Sequence, residues 1–298
     1  MPGLTRALVE RHAFGRADAY DAALLDVAQD HLLYFLAETG CFVDDRVVFK
    51  GGTSLRKCRL GNDGRFSTDL DFATPDEDVV LETCELINGA RVGGFTFGLE
   101  PDRGDGRHWR LRVDQENLGA PNIAASVEFA RRPLALAPQT VGFVTLPVHK
   151  SYGFDLPALP VVAEAEACAE KLARYRRIAL GRDLYDLNHF AGRPLDEGLV
   201  RRLWVLKVWG DVVDDGRGNR PLEPQAVLRE RRPQDFQPDS IGMLIRPVDI
   251  ERWEARVRTR FRFLADLDDY ERRWAACDER QRREIDAALA DVQARPDP

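Results

Sequence analysis

The sequence predicts an α/β (α+β) fold in which a mixed sheet is followed by a helical C-terminal half. Short stretches of β-branched and aromatic residues, broken by Gly, Asp and Pro, fill much of residues 47–148 and are typical of strands. From residue 164 onward, apolar residues instead recur at helical spacing. A proline-bearing segment, residues 156–160, separates the two patterns and predicts domains at residues 1–155 and 156–298.

The first predicted element is an amphipathic helix over residues 17–38. Apolar residues recur there at three- and four-residue spacing, and Gly40 follows, as is usual at the C-terminus of a helix. We expect this helix to pack on the sheet that follows it.

The next segment, residues 47–73, predicts a strand, a glycine turn, a short helix, a polar loop and a second strand. The second strand carries Asp69 and Asp71. Because side chains two positions apart on a strand point the same way, both carboxylates face one side. Leu70 and Phe72 alternate with them and point inward. Two carboxylates with open coordination positions suit Mg²⁺ (or Mn²⁺), which takes its other ligands from water and substrate phosphates.

The glycine turn before these carboxylates predicts a phosphate-binding segment. Gly51 and Gly52 leave backbone N–H groups open at a helix start, where Thr53 and Ser54 add hydroxyl groups. Lys57 adds a positive charge nearby. Phosphate on one side and a metal ion on the other describe a site for a nucleoside triphosphate (NTP). Taken singly, however, a Gly-Gly pair is also typical of a plain turn, and an Asp-x-Asp of a solvated strand face.

Further elements complete the sheet and the helical half. After a helix over residues 76–90, the predicted strands cover residues 95–99, 109–113, 123–129 and 142–148. The predicted helices of the second half cover residues 164–180, 182–191, 196–213 and 223–231, followed by a charged helical tail over residues 250–294.

A third carboxylate on a neighbouring strand would complete the metal site. Glu128 is flanked by apolar residues in a strand pattern, so it faces either the metal or solvent at an edge strand. We expect the first, and Asp114 is the rival third ligand. Arg131 and Arg132, just beyond Glu128, either contact the substrates or belong to the plain surface.

Two segments resemble a known family. Residues 51–54 (GGTS) and 69–71 (DLD) resemble the GG[ST]…DxD signature of the polymerase-β-like nucleotidyltransferase superfamily. Their wider context, FKGGTSL and FSTDLDF, resembles more narrowly the AbiEii/AbiGii toxin family, which includes the MenT-type toxins of mycobacteria. The resemblance covers roughly residues 20–210. It implies that residues 1–155 form a nucleotidyltransferase domain with a polymerase-β-like core.

A second stretch supports this resemblance. Residues 171–172 (KL) and 182–187 (RDLYDL) are similar to the KLxALxxRxxxRDxxDL helix motif of the family. The two ends of the motif are intact. Its centre departs from the pattern, because Arg174 and Tyr175 stand where Ala and Leu are usual and the middle Arg falls at Arg177, one position early.

The resemblance implies roles for this second stretch. Lys171 would hold nucleotide phosphate together with Arg182. Asp183 would assist the site by orienting Lys171 or Arg182, or by acting on the attacking hydroxyl. Lys171 and Arg182 share one helical face only if a single helix runs between them. The structural alternative is a surface ion pair between Arg182 and Asp186.

Arginines and aromatic residues alternate in the C-terminal tail. The segment over residues 252–262 carries five arginines, with Trp253, Phe261 and Phe263 beside them. This pattern fits either an RNA-binding surface with stacking aromatics or an amphipathic helix that docks its apolar face. We therefore keep both interpretations.

The composition narrows the classes of protein. The formal net charge of −7 argues against a protein that coats nucleic acid indiscriminately, while a local basic groove remains compatible with it. The five cysteines lack the spacing of a zinc site or a disulfide framework, so we expect reduced thiols. With no membrane-spanning apolar run and no charged-then-apolar leader, we expect a cytoplasmic protein without membrane contact.

The family resemblance implies a metal-dependent nucleotidyltransferase toxin that transfers nucleotides from NTP to the 3′ end of tRNA and blocks translation. Its implied cofactor is Mg²⁺ (or Mn²⁺), and its implied partners are NTP, the tRNA acceptor end and a cognate antitoxin. We expect a monomer. A protein hydroxyl or a small molecule as acceptor would use the same core residues and stays an alternative. A catalytically silent nucleotide- or partner-binding module is the other, and the intact Asp69 and Asp71 count against it.

Overall fold

An eight-stranded sheet organises the first part of the chain, and helices organise the second. The structure, a computed structural model, describes residues 3–236 and 247–294. These fall into two compact units. The first unit contains residues 3–133 and 138–162, and the second contains residues 134–137, 163–236 and 247–294.

The sheet lies within the first unit and is mixed, as the sequence predicts. Its strands are β1 (Val48–Lys50), β2 (Asp69–Ala73), β3 (Arg91–Val92), β4 (Phe95–Pro101), β5 (His108–Gln115), β6 (Ala125–Ala130), β7 (Gln139–Val141) and β8 (Leu159–Val161). They follow the order β3-β4-β5-β6-β2-β1-β8-β7. β2 is parallel to β6 and β1 is parallel to β8, whereas the other neighbours are antiparallel.

The helices of the first unit include the predicted long helix. They are α1 (Arg6–His12), α2 (Tyr20–Glu38), α3 (Gly51–Leu55) and α4 (Glu77–Ile87). α2 confirms the prediction for residues 17–38 and is buried over most of its length, including the two acidic residues Asp26 and Asp30. α3 follows β1 directly and continues as a π-helical turn, Arg56–Leu60. The order strand, glycine turn, helix, loop and strand is therefore the predicted one.

One predicted strand is wrong, and two observed strands were not predicted. Residues 142–148 do not form a strand, because Val144 donates its N–H to the carbonyl of Lys57 and a helical turn begins at Pro147. Strand β7 lies just before them. β8 lies in the segment that was predicted to be a connector. Pro160 lacks a backbone N–H group and is unusual within a strand, so the sequence did not predict a strand there. β3, with two residues, is too short to give a pattern.

The second unit is helical, as predicted. Its helices are α5 (Glu164–Arg177), α6 (Gly181–Phe190), α7 (Glu197–Val213), α8 (Gln225–Leu228), α9 (Ile250–Arg260), α10 (Asp269–Trp274) and α11 (Arg282–Gln293). α5 and α6 are separate helices, because Ile178 and Leu180 between them are extended. The single helical face proposed for Lys171 and Arg182 therefore does not exist.

The aromatic residues of the tail belong to the core of the second unit. Trp253, Phe261 and Phe263 are buried. This confirms the docked amphipathic helix and contradicts stacking of these aromatics on RNA bases.

The five cysteine side chains lie inside the protein. All five cysteines are buried and free, and burial raises the pKa of the thiols of Cys58 and Cys84 to about 12. Among the described residues, no helix combines the length and the apolarity that crossing a membrane requires.

Candidate active site

The two aspartates of β2 share one face of the sheet. Leu70 and Phe72 are fully buried, whereas Asp69 and Asp71 are partly exposed. This alternation is the one that the sequence indicates. It directs both carboxylates away from the core.

Sheet register places Asp71 in a row of charged side chains. Lys50 on β1 pairs with Asp71, Asp71 pairs with Glu128 on β6, and Glu128 pairs with His108 on β5. Residues directly opposite each other on neighbouring strands share a face. We call these four residues, Lys50, Asp71, Glu128 and His108, the charged row. Lys50 and His108 did not emerge from the sequence, because only the pairing of distant strands brings them here.

Asp69 lies one pleat away from the charged row and is held by two hydroxyl groups. Ser126, its register partner on β6, donates to Asp69 Oδ1 at 3.0 Å. Thr68 donates to the same oxygen at 3.1 Å. These bonds fix the orientation of the carboxylate. Its second oxygen, Oδ2, takes part in neither bond.

Gly51 is required by the position of Asp71. Its φ is +79°, and a Cβ built on it would overlap the Asp71 carboxylate, with Asp71 Cγ at 2.6 Å and Cβ at 2.8 Å. Gly52 is equally confined, because a Cβ there would overlap the guanidinium of Arg65 and lie 3.1 Å from Ser67 Oγ. Gly51 therefore lets the helix start approach the Asp71 carboxylate closely, and Gly52 leaves room for Arg65 and Ser67.

The hydroxyl groups of Thr53 and Ser54 serve the backbone. Both residues are fully buried. Thr53 Oγ1 donates to the carbonyl oxygen of Asp69, and Ser54 Oγ donates to that of Gly51 at 3.0 Å. They join the helix start to β2. The predicted use of these hydroxyl groups as phosphate ligands is at odds with these bonds.

Lys57 lies inside the first unit, with 4% of its surface exposed. Its Nζ is 2.7 Å from Asp26 Oδ1 and 2.7 Å from Asp30 Oδ1, both on α2. Arg56 joins the same network through two bonds to Asp26, at 2.8 and 3.0 Å. The placement of Lys57 argues against its predicted contact with triphosphate. The sequence shows the charge of Lys57 but not the two acids that bind it.

The charges in this network favour ionised carboxylates. Burial disfavours the charged form of Asp26, but the attraction of Arg56 and Lys57 outweighs it and holds the pKa of Asp26 well below its ordinary value. The pKa of Asp30 is lowered against burial mainly by Lys57. Tyr152 donates to Asp30 Oδ2 at 2.6 Å, and burial raises its pKa well above the ordinary value. The network therefore joins α2 to the turn that follows α3.

Glu128, and not Asp114, is the carboxylate next to Asp71. Asp114 pairs with Thr96 on β4, beyond the part of β5 that meets β6. Glu128 Oε2 lies 3.7 Å from His108 Nε2. The donor chemistry of Asp69, Asp71 and Glu128 suits a hard divalent cation. Within the ranges that the structure describes, no three carboxylate, imidazole or thiol side chains are close enough to form a metal-binding group by themselves.

His108 is fixed by the loop that precedes β5. Asp105 Oδ2 lies 2.5 Å from His108 Nδ1. The backbone N–H of Arg107, together with His108, holds the pKa of Asp105 below its ordinary value. The ionised carboxylate therefore orients the imidazole ring.

The second unit brings together the residues of the second motif. Lys171 Nζ lies 2.7 Å from Asp186 Oδ2 and 3.4 Å from Asp183 Oδ1. Arg174 donates its Nε to Asp183 Oδ2 at 2.7 Å and its Nη2 to the other oxygen. Asp183 is fully buried. It orients Lys171 and Arg174, so Arg174 occupies the place that the sequence interpretation gave to Arg182.

Arg131 and Arg176 lie in different surroundings. Arg131 is largely exposed and lies 2.9 Å from Glu77. Arg176 is buried, and its Nη1 donates to the carbonyl oxygen of Asn219 at 3.2 Å. Arg176 is therefore part of the core of the second unit.

Comparison with known proteins identifies relatives. The family model described as "Nucleotidyl transferase AbiEii toxin, Type IV TA system" matches residues 35–290. The solved structure of MenT4, a nucleotidyltransferase toxin from Mycobacterium tuberculosis H37Rv, is 73% identical, covers 98% of this chain and 100% of its own, and superimposes with a TM-score of 0.96. No protein with a curated description matches the chain.

Two structures from Helicobacter pylori are more distant. A putative nucleotidyltransferase is 16% identical, covers 84% of this chain and 96% of its own, and gives a TM-score of 0.45. The protein JHP933 is also 16% identical, covers 91% and 98% of the two chains, and gives 0.43. These values are too low to support any argument.

Proposed function

Because this chain belongs to the AbiEii family of nucleotidyltransferase toxins of type IV toxin–antitoxin systems, we propose that it adds nucleotides from NTP to the 3′ end of tRNA and thereby blocks translation. The observation that carries this proposal is the arrangement of Asp69, Asp71 and Glu128 on one sheet face, beside the helix start at Gly51. Nucleotidyl transfer requires carboxylates beside a place for phosphate. The three carboxylates and the adjoining helix start at Gly51 support the proposal.

We assign the metal to the carboxylates of the sheet. Asp69, Asp71 and Glu128 would hold Mg²⁺ or Mn²⁺, which would activate the attacking hydroxyl and neutralise charge on the pyrophosphate leaving group. The two hydroxyl donors on Asp69 pre-orient one ligand. The absence of a side chain at Gly51 leaves room for the second, Asp71.

Positive charge for the phosphates comes from other residues than Lys57. Lys50 shares the face of Asp71 and directly precedes the glycine turn, so it is better placed than the buried Lys57. By family resemblance, Lys171 contributes as well, with Asp183 orienting it. Compact ammonium groups suit phosphate as point charges.

The test is incubation of the purified chain with each labelled NTP, Mg²⁺ and total tRNA. We expect label at the 3′ end of tRNA with wild-type protein and none with Asp69→Ala. Label on protein or on a small molecule in a cell extract, with none on tRNA, would move the acceptor to one of those classes. An absence of label everywhere would refute nucleotidyl transfer under these conditions.

The remaining biological assignments follow from this function. We propose that the protein acts as a monomer in the cytoplasm, where charged and uncharged tRNA are found. A cognate antitoxin would counteract it. Co-expression of the antitoxin should restore growth of cells that produce the wild-type chain.

A further inference from the structure

The Asp105 carboxylate holds the ring of His108 in one orientation. Its Oδ1 accepts from the backbone N–H groups of Arg107 and His108, at 3.0 and 3.1 Å. Its Oδ2 lies 2.5 Å from His108 Nδ1. Asp105 accepts both backbone N–H bonds as a carboxylate, so in a neutral imidazole the proton shared with Oδ2 would lie on Nδ1. Nε2 is then the nitrogen with a lone pair.

A carboxylate oxygen lies across a gap from His108 Nε2. Glu128 Oε2 lies 3.7 Å away, beyond hydrogen-bond distance. The side chains of His108 and Glu128 are 23% and 35% exposed, so the gap between them is accessible to solvent. Two ligands bound to one ion at about 2.0–2.2 Å each can stand up to roughly 4 Å apart. The observed separation therefore fits one cation between the two atoms.

We propose that His108 Nε2 and Glu128 bind a divalent transition-metal ion and that Asp105 positions the imidazole for it. A histidine that ligates a metal usually donates its other ring N–H to a carboxylate, and Asp105 Oδ2 lies within hydrogen-bond distance of His108 Nδ1. His108 and Glu128 would leave the other positions of the ion to the neighbouring carboxylates, water and substrate.

This inference rests in part on the proposed function, since Glu128 also serves there as a metal ligand. It adds a preference for one class of metal ion. An imidazole nitrogen favours transition metals, whereas Mg²⁺ prefers an all-oxygen shell. The site would therefore discriminate Mn²⁺ from Mg²⁺, because His108 adds a nitrogen ligand to the carboxylate oxygens of Asp71 and Glu128.

Electron paramagnetic resonance with Mn²⁺ alone tests the proposal on the full chain. Electron spin echo modulation should show coupling of bound Mn²⁺ to an imidazole ¹⁴N nucleus in the wild type. His108→Asn retains an amide donor near the Nδ1 position but has no atom at Nε2, so the coupling should disappear. Mn²⁺ affinity should fall about tenfold to a hundredfold, while Mg²⁺ affinity, measured by competition, should change little.

Two further variants make the test specific. Asp105→Asn keeps the ligand but loosens its orientation, so it should weaken Mn²⁺ binding about tenfold while keeping some ¹⁴N coupling. His189→Asn, in the helical unit, should leave both readouts unchanged. Circular dichroism and thermal melts establish that each variant is folded.

The outcomes separate this proposal from the proposed function. Absence of ¹⁴N coupling in the wild type, or equal Mn²⁺ affinity in folded His108→Asn, would overturn the histidine ligand. Transfer of nucleotides by a wild type that lacks the coupling would leave the proposed function intact. Coupling without any transfer would leave the metal site intact and refute the function.

Discussion

At the scale of single residues, Gly51 and Asp71 depend on each other. The left-handed backbone of Gly51 and the nearby carboxylate of Asp71 exclude any side chain at position 51. The geometry of the site thus relies on the absence of a side chain at position 51, and its proposed chemistry relies on Asp71. Replacement of Gly51 should therefore disturb both backbone and catalysis.

We predict that Gly51→Ala abolishes transfer and lowers the free energy of unfolding. A Cβ at a left-handed position costs about 1–2 kcal/mol by itself, and its overlap with Asp71 must displace the carboxylate. Gly40→Ala is the matched control, because Gly40 has the same φ of +79° and only an ordinary 3.7 Å contact. Denaturant unfolding and labelled transfer would be measured on both. If Gly51→Ala transfers nucleotides as well as Gly40→Ala does, Asp71 is not confined as described.

At the scale of elements, the buried network ties α2 to the turn after α3. Asp26 and Asp30 on α2 bind Lys57 and Arg56 just beyond the helix that starts at Gly51. This tie fixes the helix start against the sheet. The network stabilises the fold and positions the helix start, and Lys57 makes no direct contact with phosphate in this role.

We predict that Lys57→Ala lowers the free energy of unfolding by about 3–5 kcal/mol, because it removes the buried ammonium group that Asp26 and Asp30 share. Lys150→Ala, at an exposed lysine, should change it by less than about 0.5 kcal/mol. Urea unfolding followed by circular dichroism measures both. A Lys57→Ala protein of wild-type stability with a raised KM for NTP would restore the original phosphate role.

The same network predicts how stability depends on pH. The folded-state pKa of Asp26 is well below its ordinary value of 3.8, so its stabilising contribution is present above that value and is lost as pH falls through the folded pKa. We expect the free energy of unfolding of the wild type to decrease below about pH 4. In Asp26→Asn this decrease should be smaller, and stability at neutral pH should be lower. Equal acid dependence of the two proteins would contradict the assigned network.

At the scale of the whole molecule, the sequence predicts those features that depend on the alternation of polar and apolar residues within one short segment. Successive side chains of a strand point to opposite faces. This alternation predicts that Asp69 and Asp71 share one face, while Leu70 and Phe72 point into the core. The glycine turn is equally local. The mixed sheet and the helical half follow from the same kind of pattern.

Features that depend on distant pairing were not predictable in this way. Whether Lys57 faces solvent or Asp26 is decided by helix packing across a long stretch of chain. The position of His108 beside Glu128 is decided by register between β5 and β6. β8 forms in spite of Pro160, because its neighbours β1 and β7 supply the partners. No short sequence window contains this information.

The most direct test of the account compares Asp71→Asn with Asp114→Asn in labelled transfer to tRNA. Both replace a carboxylate of the same sheet by its neutral isostere, but only Asp71 is the register partner of Glu128. Loss of a metal ligand is worth several kcal/mol, so Asp71→Asn should lower the rate about a hundredfold or more. Asp114→Asn should retain the wild-type rate. A folded Asp71→Asn protein that transfers nucleotides at the wild-type rate would contradict the carboxylate face as the catalytic centre.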